Sequence, residues 1–186
     1  DRHDWDAMID SAVDLFRAMG LGESDRLGNF MMAGDLYGSF VSFDHINARL
    51  GLTTFAFAGS STPETFVQVW RRFGLTSVEG IPSYVLPFLR QAKKLEPKLS
   101  IAKFLYAGTP LAPSDYDWLK GELRVERISS VIGANDGGQI AYQCPEMRGG
   151  LHHAMDEFNF IEIADDKGRL VPDGAPGLIL ITSLLK

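Results

Sequence analysis

Between Leu27 and Ile132 the chain repeats one pattern: a short apolar run, a turn, then a segment with helical period. The apolar runs are Leu27 to Met32, Leu52 to Phe57, Thr76 to Glu79, Ile101 to Tyr106 and Arg127 to Ile132, each read as a strand. Helices are predicted between them at Asp35 to Leu50, from the Thr62 cap to Gly74, at Ser83 to Leu95 and at Ser114 to Leu123. Alternation at about 20 to 25 residues per unit leaves few folds, because parallel strands require a crossover and the crossover is usually a helix. The expected fold class is α/β, a mostly parallel sheet with helices on both faces.

Local signals agree with that plan. Trp5, Met8, Ile9, Ala12, Val13, Phe16 and Met19 recur at three- and four-residue spacing, which predicts a helix with one buried face ending near Gly20. Thr62 is a plausible N-cap with Pro63 at the first helical position, an apolar stripe follows at Phe66, Val69, Trp70 and Phe73, and Gly74 stops the helix. Gly51 closes the preceding one. From Gln139 the texture changes to strand-like pieces at Gln139 to Gln143, Leu151 to Ala154, Phe158 to Ala164 and Gly177 to Thr182, with a turn at Asp165-Asp166-Lys167-Gly168. We read 1–138 as the α/β region and 139–186 as a smaller β-rich subdomain; the far edge of one mixed sheet fits the same residues.

Composition narrows the function classes. The chain has 186 residues, 45% of them hydrophobic, and a net charge of -6. It has length enough for a real core, and it lacks the basic stripe that nucleic acid requires. No apolar run approaches the roughly 20 residues of a membrane span, so neither nucleic acid nor membrane is expected as a partner. Cys144 is the only cysteine, which excludes an internal disulfide and fits a cytoplasmic setting. The opening Asp1-Arg2-His3-Asp4 runs straight into a helix pattern with no signal peptide, as in a chain cut from something longer.

Chemistry is expected where strands end in glycine turns. Tyr106-Ala107-Gly108-Thr109-Pro110 and Ile132-Gly133-Ala134-Asn135-Asp136 are two such ends. Small molecules bind beyond the carboxyl ends of parallel strands, and Gly lets backbone approach a ligand. If the two strands are neighbours, their turns can sandwich a flat ring while Asp136 reaches a metal bound to phosphate. Ordinary surface turns use the same residues, and neither segment matches a Walker loop or a dinucleotide fingerprint. Cys144 with His152 and His153 offers soft zinc ligands, but the count is short of a closed site, and a buried Cys with loop His residues is the plainer reading. Tyr37, Phe40, Phe43, Tyr84 and Phe88 form an aromatic group suited to a core; Tyr37 and Tyr84 stand apart, each in the first turn after a strand end, where a pocket would be.

Read in order, these segments resemble the large N-terminal domain of the adenylate-forming enzymes, the acyl-CoA synthetases and ligases, and most closely the phenylacetate-CoA ligase branch. Pro82-Ser83-Tyr84 resembles that branch's Pro-Ser-Tyr turn, Ala107-Gly108-Thr109-Pro110 its Gly-Ala-Glu-Pro turn, and Ile132-Gly133-Ala134-Asn135-Asp136 its Tyr-Gly-x-Thr-Glu turn. Gly150-Leu151-His152-His153, Phe160-Ile161-Glu162-Ile163 and Leu170 to Gly177 with Thr182 are similar as well. The resemblance implies ATP-dependent activation of a carboxylic acid as an acyl-adenylate, with Mg2+, followed by transfer to coenzyme A or another acceptor. Carried over by position, Gly108, Thr109 and Pro110 line the adenine and acyl pocket, and Ile132 and Gly133 lie along adenine. Asn135 stands beside the phosphate and carboxylate, Asp136 is the magnesium carboxylate, and Tyr37, Tyr84, Gly108 and Ala134 contact the acid. The substrate it implies is an aromatic acid, in antibiotic or phenazine-type biosynthesis or in aromatic catabolism, and a homodimer is compatible with it. Ile132, Asn135 and Asp136 replace Tyr, Thr and Glu, which keeps open a second reading, a binding or scaffold module that retained the fold and lost the chemistry. The family's Ser/Thr/Gly phosphate loop and C-terminal domain have no counterpart in these residues.

Overall fold

The computed structural model describes residues 2–34, 37–58, 61–134 and 138–184. In chain order the elements are α1 (Arg2–Ala18), β1 (Arg26–Phe30), α2 (Ser39–Arg49), β2 (Thr53–Ala56), α3 (Pro63–Phe73), β3 (Ser77–Gly80), α4 (Pro82–Leu95), β4 (Lys103–Ala107), α5 (Pro113–Gly121), β5 (Arg127–Ala134), β6 (Gly138–Tyr142), β7 (His153–Ala154), β8 (Asn159–Ala164) and β9 (Leu178–Ser183). The first seven strands to pair form one sheet in the order β2-β1-β3-β4-β5-β6-β7. Its pairings are parallel from β2 through β5 and antiparallel from β5 to β7. The expected mostly parallel α/β sheet is what the chain adopts. Of the strand-like pieces after Gln139, β6 and β7 extend this sheet, while β8 and β9 form a separate two-stranded sheet, with one further bridge from Ala164 of β8 to Leu170.

Handedness explains which helix lies where. Crossovers between parallel strands are right-handed, so α2, stepping from β1 outward to β2, and α3, stepping back across β1 to β3, must cover opposite faces. The two cores follow that rule. Ile9, Val13 and Phe16 of α1 and Phe43 and Ile46 of α2 pack with Leu27, Leu105 and Val131 on one face. Phe66 of α3, Val85 and Leu89 of α4 and Leu119 of α5 pack with Phe30, Val78 and Phe104 on the other. Alternate residues of one strand therefore feed both cores, as Leu27 and Phe30 do from β1.

Helix ends follow local chemistry. In α3 the Thr65 amide donates to the Thr62 hydroxyl at 3.3 Å, Pro63 opens the helix, and Gly74 closes it at φ 64. The buried side of α3 is Phe66 and Val67, with Val69 and Trp70 half-buried and Phe73 exposed, so its stripe is shifted from the expected one. Helix α2 begins at Ser39, four residues later than its predicted start. The reason is Gly34 at φ 98, whose carbonyl accepts from the Tyr37 amide at 2.9 Å and turns the chain before the helix can form.

Polar groups inside the sheet set its register. Asp25, 3% exposed, receives Lys103 Nζ at 2.6 Å, the Ser77 hydroxyl at 2.7 Å, the Gly22 amide at 3.0 Å and the Thr76 hydroxyl at 3.0 Å. Burial raises its pKa, but the hydrogen bonds from Lys103, Ser77, Gly22 and Thr76 outweigh it and hold the carboxyl below the usual carboxylate range. Glu79 on β3 is the opposite case. It is fully buried, is the register partner of Asn29 on β1, and accepts one hydrogen bond, from Asn47 Nδ2 of α2 at 2.7 Å. Burial drives its pKa up to about 8, against the lowering pull of the Asn47 bond and with a further raising push from Asp44. Glu79 is thus a neutral acid at neutral pH.

Because that pKa is raised, the unfolded state binds fewer protons than the native state between the ordinary 4.5 and about 8. Stability contributed by Glu79 is fully present below that window and is lost as pH rises through it, at up to about 1.4 kcal/mol per pH unit. Denaturation curves across the window should show this fall in the native protein and not in Glu79→Gln, whose amide cannot ionise. Equal pH slopes in the two proteins would mean that Glu79 is ionised in the native state.

Candidate functional site

The parallel strands bring all their carboxyl ends to one edge of the sheet. There β4 and β5 are neighbours, with Tyr106 level with Ser130 and Ala107 level with Val131. One step further, the Gly108 turn meets Ile132 and Gly133, so the two predicted strand ends do come together. Gly108 has φ 84, a conformation open to glycine at no steric cost, and it swings the chain out over the strand end. The register between β5 and β6 shifts at Ile132/Gly133, where Ile140 of β6 is left without a partner, and Ile132 is 40% exposed.

Between these segments lies a cavity of about 890 Å³. Gly108, Thr109 and Pro110 form one wall, Ile132 and Gly133 another, and Ser130 with His152 the floor. A loop from Pro145 to Gly150 faces them, and the cations Lys120, Arg127 and Arg148 and the acids Asp117 and Glu126 also line the cavity. Thr109 Oγ1 is buried there with no hydrogen-bond partner among the described residues.

The floor is built by a relay of hydrogen bonds that sequence reasoning missed. Gln143, 4% exposed, follows β6 and donates through Nε2 to the carbonyls of Gly149 at 2.7 Å and Leu151 at 3.1 Å, which pins the loop. The pinned loop presents the Gly150 carbonyl to His152 Nδ1 at 2.9 Å, and His152 Nε2 lies 2.5 Å from the Ser130 hydroxyl.

The other expected site residues fall elsewhere. Tyr37 sits in the turn before α2, 53% exposed, and Tyr84 in the first turn of α4, 41% exposed. Neither lines the cavity, and neither does Ala134, at the exposed end of β5. Asn135 and Asp136 lie outside the described residues. The zinc set divides: Cys144 Sγ lies 3.3 Å from His153 Nε2, while His152, the preceding residue on an extended segment, faces the opposite way into the cavity. Among the described residues no three His, Cys, Asp or Glu side chains are grouped to hold a metal ion, and no helix is long and apolar enough to cross a membrane.

The sheet order, the helices on both faces and the separate two-stranded sheet define the class: this is the fold of the large N-terminal domain of the adenylate-forming acyl-CoA ligases. A 2-hydroxyisobutyryl-CoA ligase, solved in the postadenylation state with R3-HIB-AMP, matches 100% of this chain and 40% of its own with a TM-score of 0.85 and 20% identity. A Brucella canis acyl-CoA synthetase matches 92% of this chain and 33% of its own at a TM-score of 0.72 and 22% identity. Apo MatB from Rhodopseudomonas palustris matches 97% and 35%, at 0.73 and 13% identity. At such identities the likeness is one of fold, and this chain spans less than half the length of each solved chain. No protein-family model matches the chain, and no curated protein matches it.

Gln143 is the residue on which the cavity floor depends. Gln143→Ala strips two carbonyls of their buried donor and should cost about 1 to 3 kcal/mol of stability, with faster amide hydrogen exchange confined to residues 144–152. Exchange unchanged in that segment would show that the loop is held by something else.

Proposed function

We propose that this chain is the central part of the N-terminal domain of an ATP-dependent ligase that activates a carboxylic acid as its acyl-adenylate. The observation that carries the reading is the meeting of Gly108-Thr109-Pro110 with Ile132-Gly133 around one cavity at the carboxyl edge of the sheet. It is supported by the fold shared with ligases solved with acyl-AMP and coenzyme A. A flat base fits between the two turns, where Gly108 and Gly133 keep the approach to the backbone free of side chains.

In the reaction the acid's carboxylate oxygen attacks the α-phosphorus of ATP, the bond to the β-phosphate oxygen breaks, and pyrophosphate leaves. A thiol, that of coenzyme A or another acceptor, then attacks the acyl carbon and AMP departs. The chain's own residues bind and orient: the two turns hold the base, and Lys120, Arg127 and Arg148 outnumber Asp117 and Glu126 on the lining by one positive charge. Mg2+, held through phosphate by Asp136, would neutralise the phosphate charge. By the resemblance to the phenylacetate-CoA ligase branch, the acid is aromatic and the setting is cytoplasmic, in antibiotic or phenazine-type biosynthesis or aromatic catabolism, with a homodimer compatible. Of the acyl contacts that the resemblance implies, Gly108 lines this cavity, and Tyr37, Tyr84 and Ala134 would meet the acid outside it. The exposed aliphatic Ile132 in place of a stacking ring favours one alternative, a module that binds without turning over.

Pyrophosphate–ATP exchange in the complete polypeptide, scanned over aromatic and aryl-alkyl acids, separates the two. Adenylation predicts acid-dependent exchange that falls at least about a hundredfold in Asp136→Asn, with little change in melting temperature. Nucleotide binding without exchange for any acid would favour the non-catalytic module, and full exchange in Asp136→Asn would remove that carboxylate from the mechanism.

A further inference from the structure

A second groove, of about 680 Å³, lies between the last turns of α4 and α5, and none of its lining residues lines the first cavity. Both helices run back from the carboxyl edge, so it opens at the amino edge of the sheet. Arg90, Lys93 and Lys94 come from α4, Trp118 from α5 and Arg124 from the turn after it; Glu122 is the one acid among the described lining residues. Asp115 pairs with Arg90 at 2.8 Å, and the Arg90 guanidinium lies over the Trp118 ring, 4.2 Å from its centre. Counting Asp115, four cations meet two acids, on a chain whose formal net charge is -6.

Helix ends account for part of this charge. Lys93 and Lys94 fall in the last turn of α4, where cations offset the helix dipole, and Lys93 also donates to the Leu99 carbonyl at 2.9 Å. Arg124 lies beyond α5 and has no such reason to be there. At φ 58 it is the only residue other than glycine with a positive φ among the described residues, where nine glycines take that conformation. Glycine adopts it freely and a residue with a side chain does not. The turn that brings the Val125 amide to the Leu119 carbonyl at 3.0 Å therefore favours a glycine, and carries an exposed guanidinium instead. Neither Arg124 nor Lys94 forms an ion pair among the described residues.

We propose that this groove is a docking surface for an acidic segment of a partner protein, with carboxylates seated on Lys94 and Arg124 beside the Arg90 and Trp118 stack. Arg and Trp are among the side chains that most often anchor protein interfaces. The helix ends decide against a compact phosphate, because they carry free carbonyl oxygens, whereas a phosphate site uses converging N–H groups such as a helix N-terminus supplies. Carboxylates spaced along a peptide suit cations spaced on separate elements. Two unpaired cations also fall short of the basic stripe that nucleic acid requires. Because α5 separates the groove from the cavity, a partner seated there leaves the cavity open.

NMR on the complete polypeptide tests this, with the Trp118 indole N–H as reporter and a synthetic glutamate-rich peptide as probe. The expected result is a saturable shift at Trp118, with Trp5 and Trp70 unmoved, that weakens as salt rises and is absent when every glutamate of the peptide is glutamine. Arg124→Gly should weaken the peptide about threefold, the size of one exposed ion pair, without lowering the melting temperature, because glycine suits the turn. Adding Lys94→Glu should bring the loss to about tenfold. Unchanged peptide affinity in Arg124→Gly overturns the proposal, and a fall in melting temperature beside it would give Arg124 a structural role. An equal shift with inorganic phosphate or with the glutamine peptide overturns it too, as does a shift at Trp5 or Trp70 in place of Trp118. A Trp118 resonance that no peptide moves, as when the rest of the polypeptide covers the groove, also overturns it.

Discussion

Asp25 sits just ahead of β1 and gathers donors from the α1–β1 turn, from the start of β3 and from the start of β4. Lys103 completes the knot by donating also to the Gly20 carbonyl, at 2.7 Å. Removing one member of such a buried pair strands the other's charge, which typically costs several kcal/mol. The knot fixes where three parallel strands begin. Strands of a parallel sheet that begin together and run four or five residues end together, so the clamp at the amino edge also sets the alignment at the carboxyl edge, where the cavity lies. Register there matters residue by residue, since a one-residue slip of β5 against β4 would turn Ser130 and Ile132 to the other face.

The two buried carboxyl groups divide the work. Asp25 keeps its charge because four donors replace water, and its contribution depends on Lys103. Glu79, with one donor from Asn47, loses its charge instead. One is a charged anchor at the amino edge. The other is a neutral polar link between β3 and α2, close to the carboxyl edge, where an ionised group would compete with an anionic ligand.

The larger architecture was legible in the sequence because its signals are periodic. A two-residue strand period and a 3.6-residue helix period are local, and Thr62, Pro63 and Gly74 mark the ends of α3 in the residues themselves. The meeting of Gly108 with Ile132 was also legible, since sequential βα units place their strands side by side. What was not legible depended on pairing over distance. Nothing near Ser130 points to His152, 22 residues away, and only the β5–β6–β7 antiparallel extension brings them together. Cys144, His152 and His153 looked like one cluster along the sequence, but His152 and His153, successive residues of an extended segment, point apart. Tyr37 and Tyr84 follow strand ends as expected, yet the chain turns at Gly34 and at the start of α4 leave both side chains away from the cavity.

The central claim is that the cavity between the Gly108 turn and Ile132 is the nucleotide site. A crystal structure with a non-hydrolysable acyl-adenylate analogue tests it most directly. The account predicts the adenine ring between Gly108-Thr109-Pro110 and Ile132-Gly133. An adenine seated anywhere else on the molecule, for instance over the carboxyl ends of β1 and β3, would contradict it.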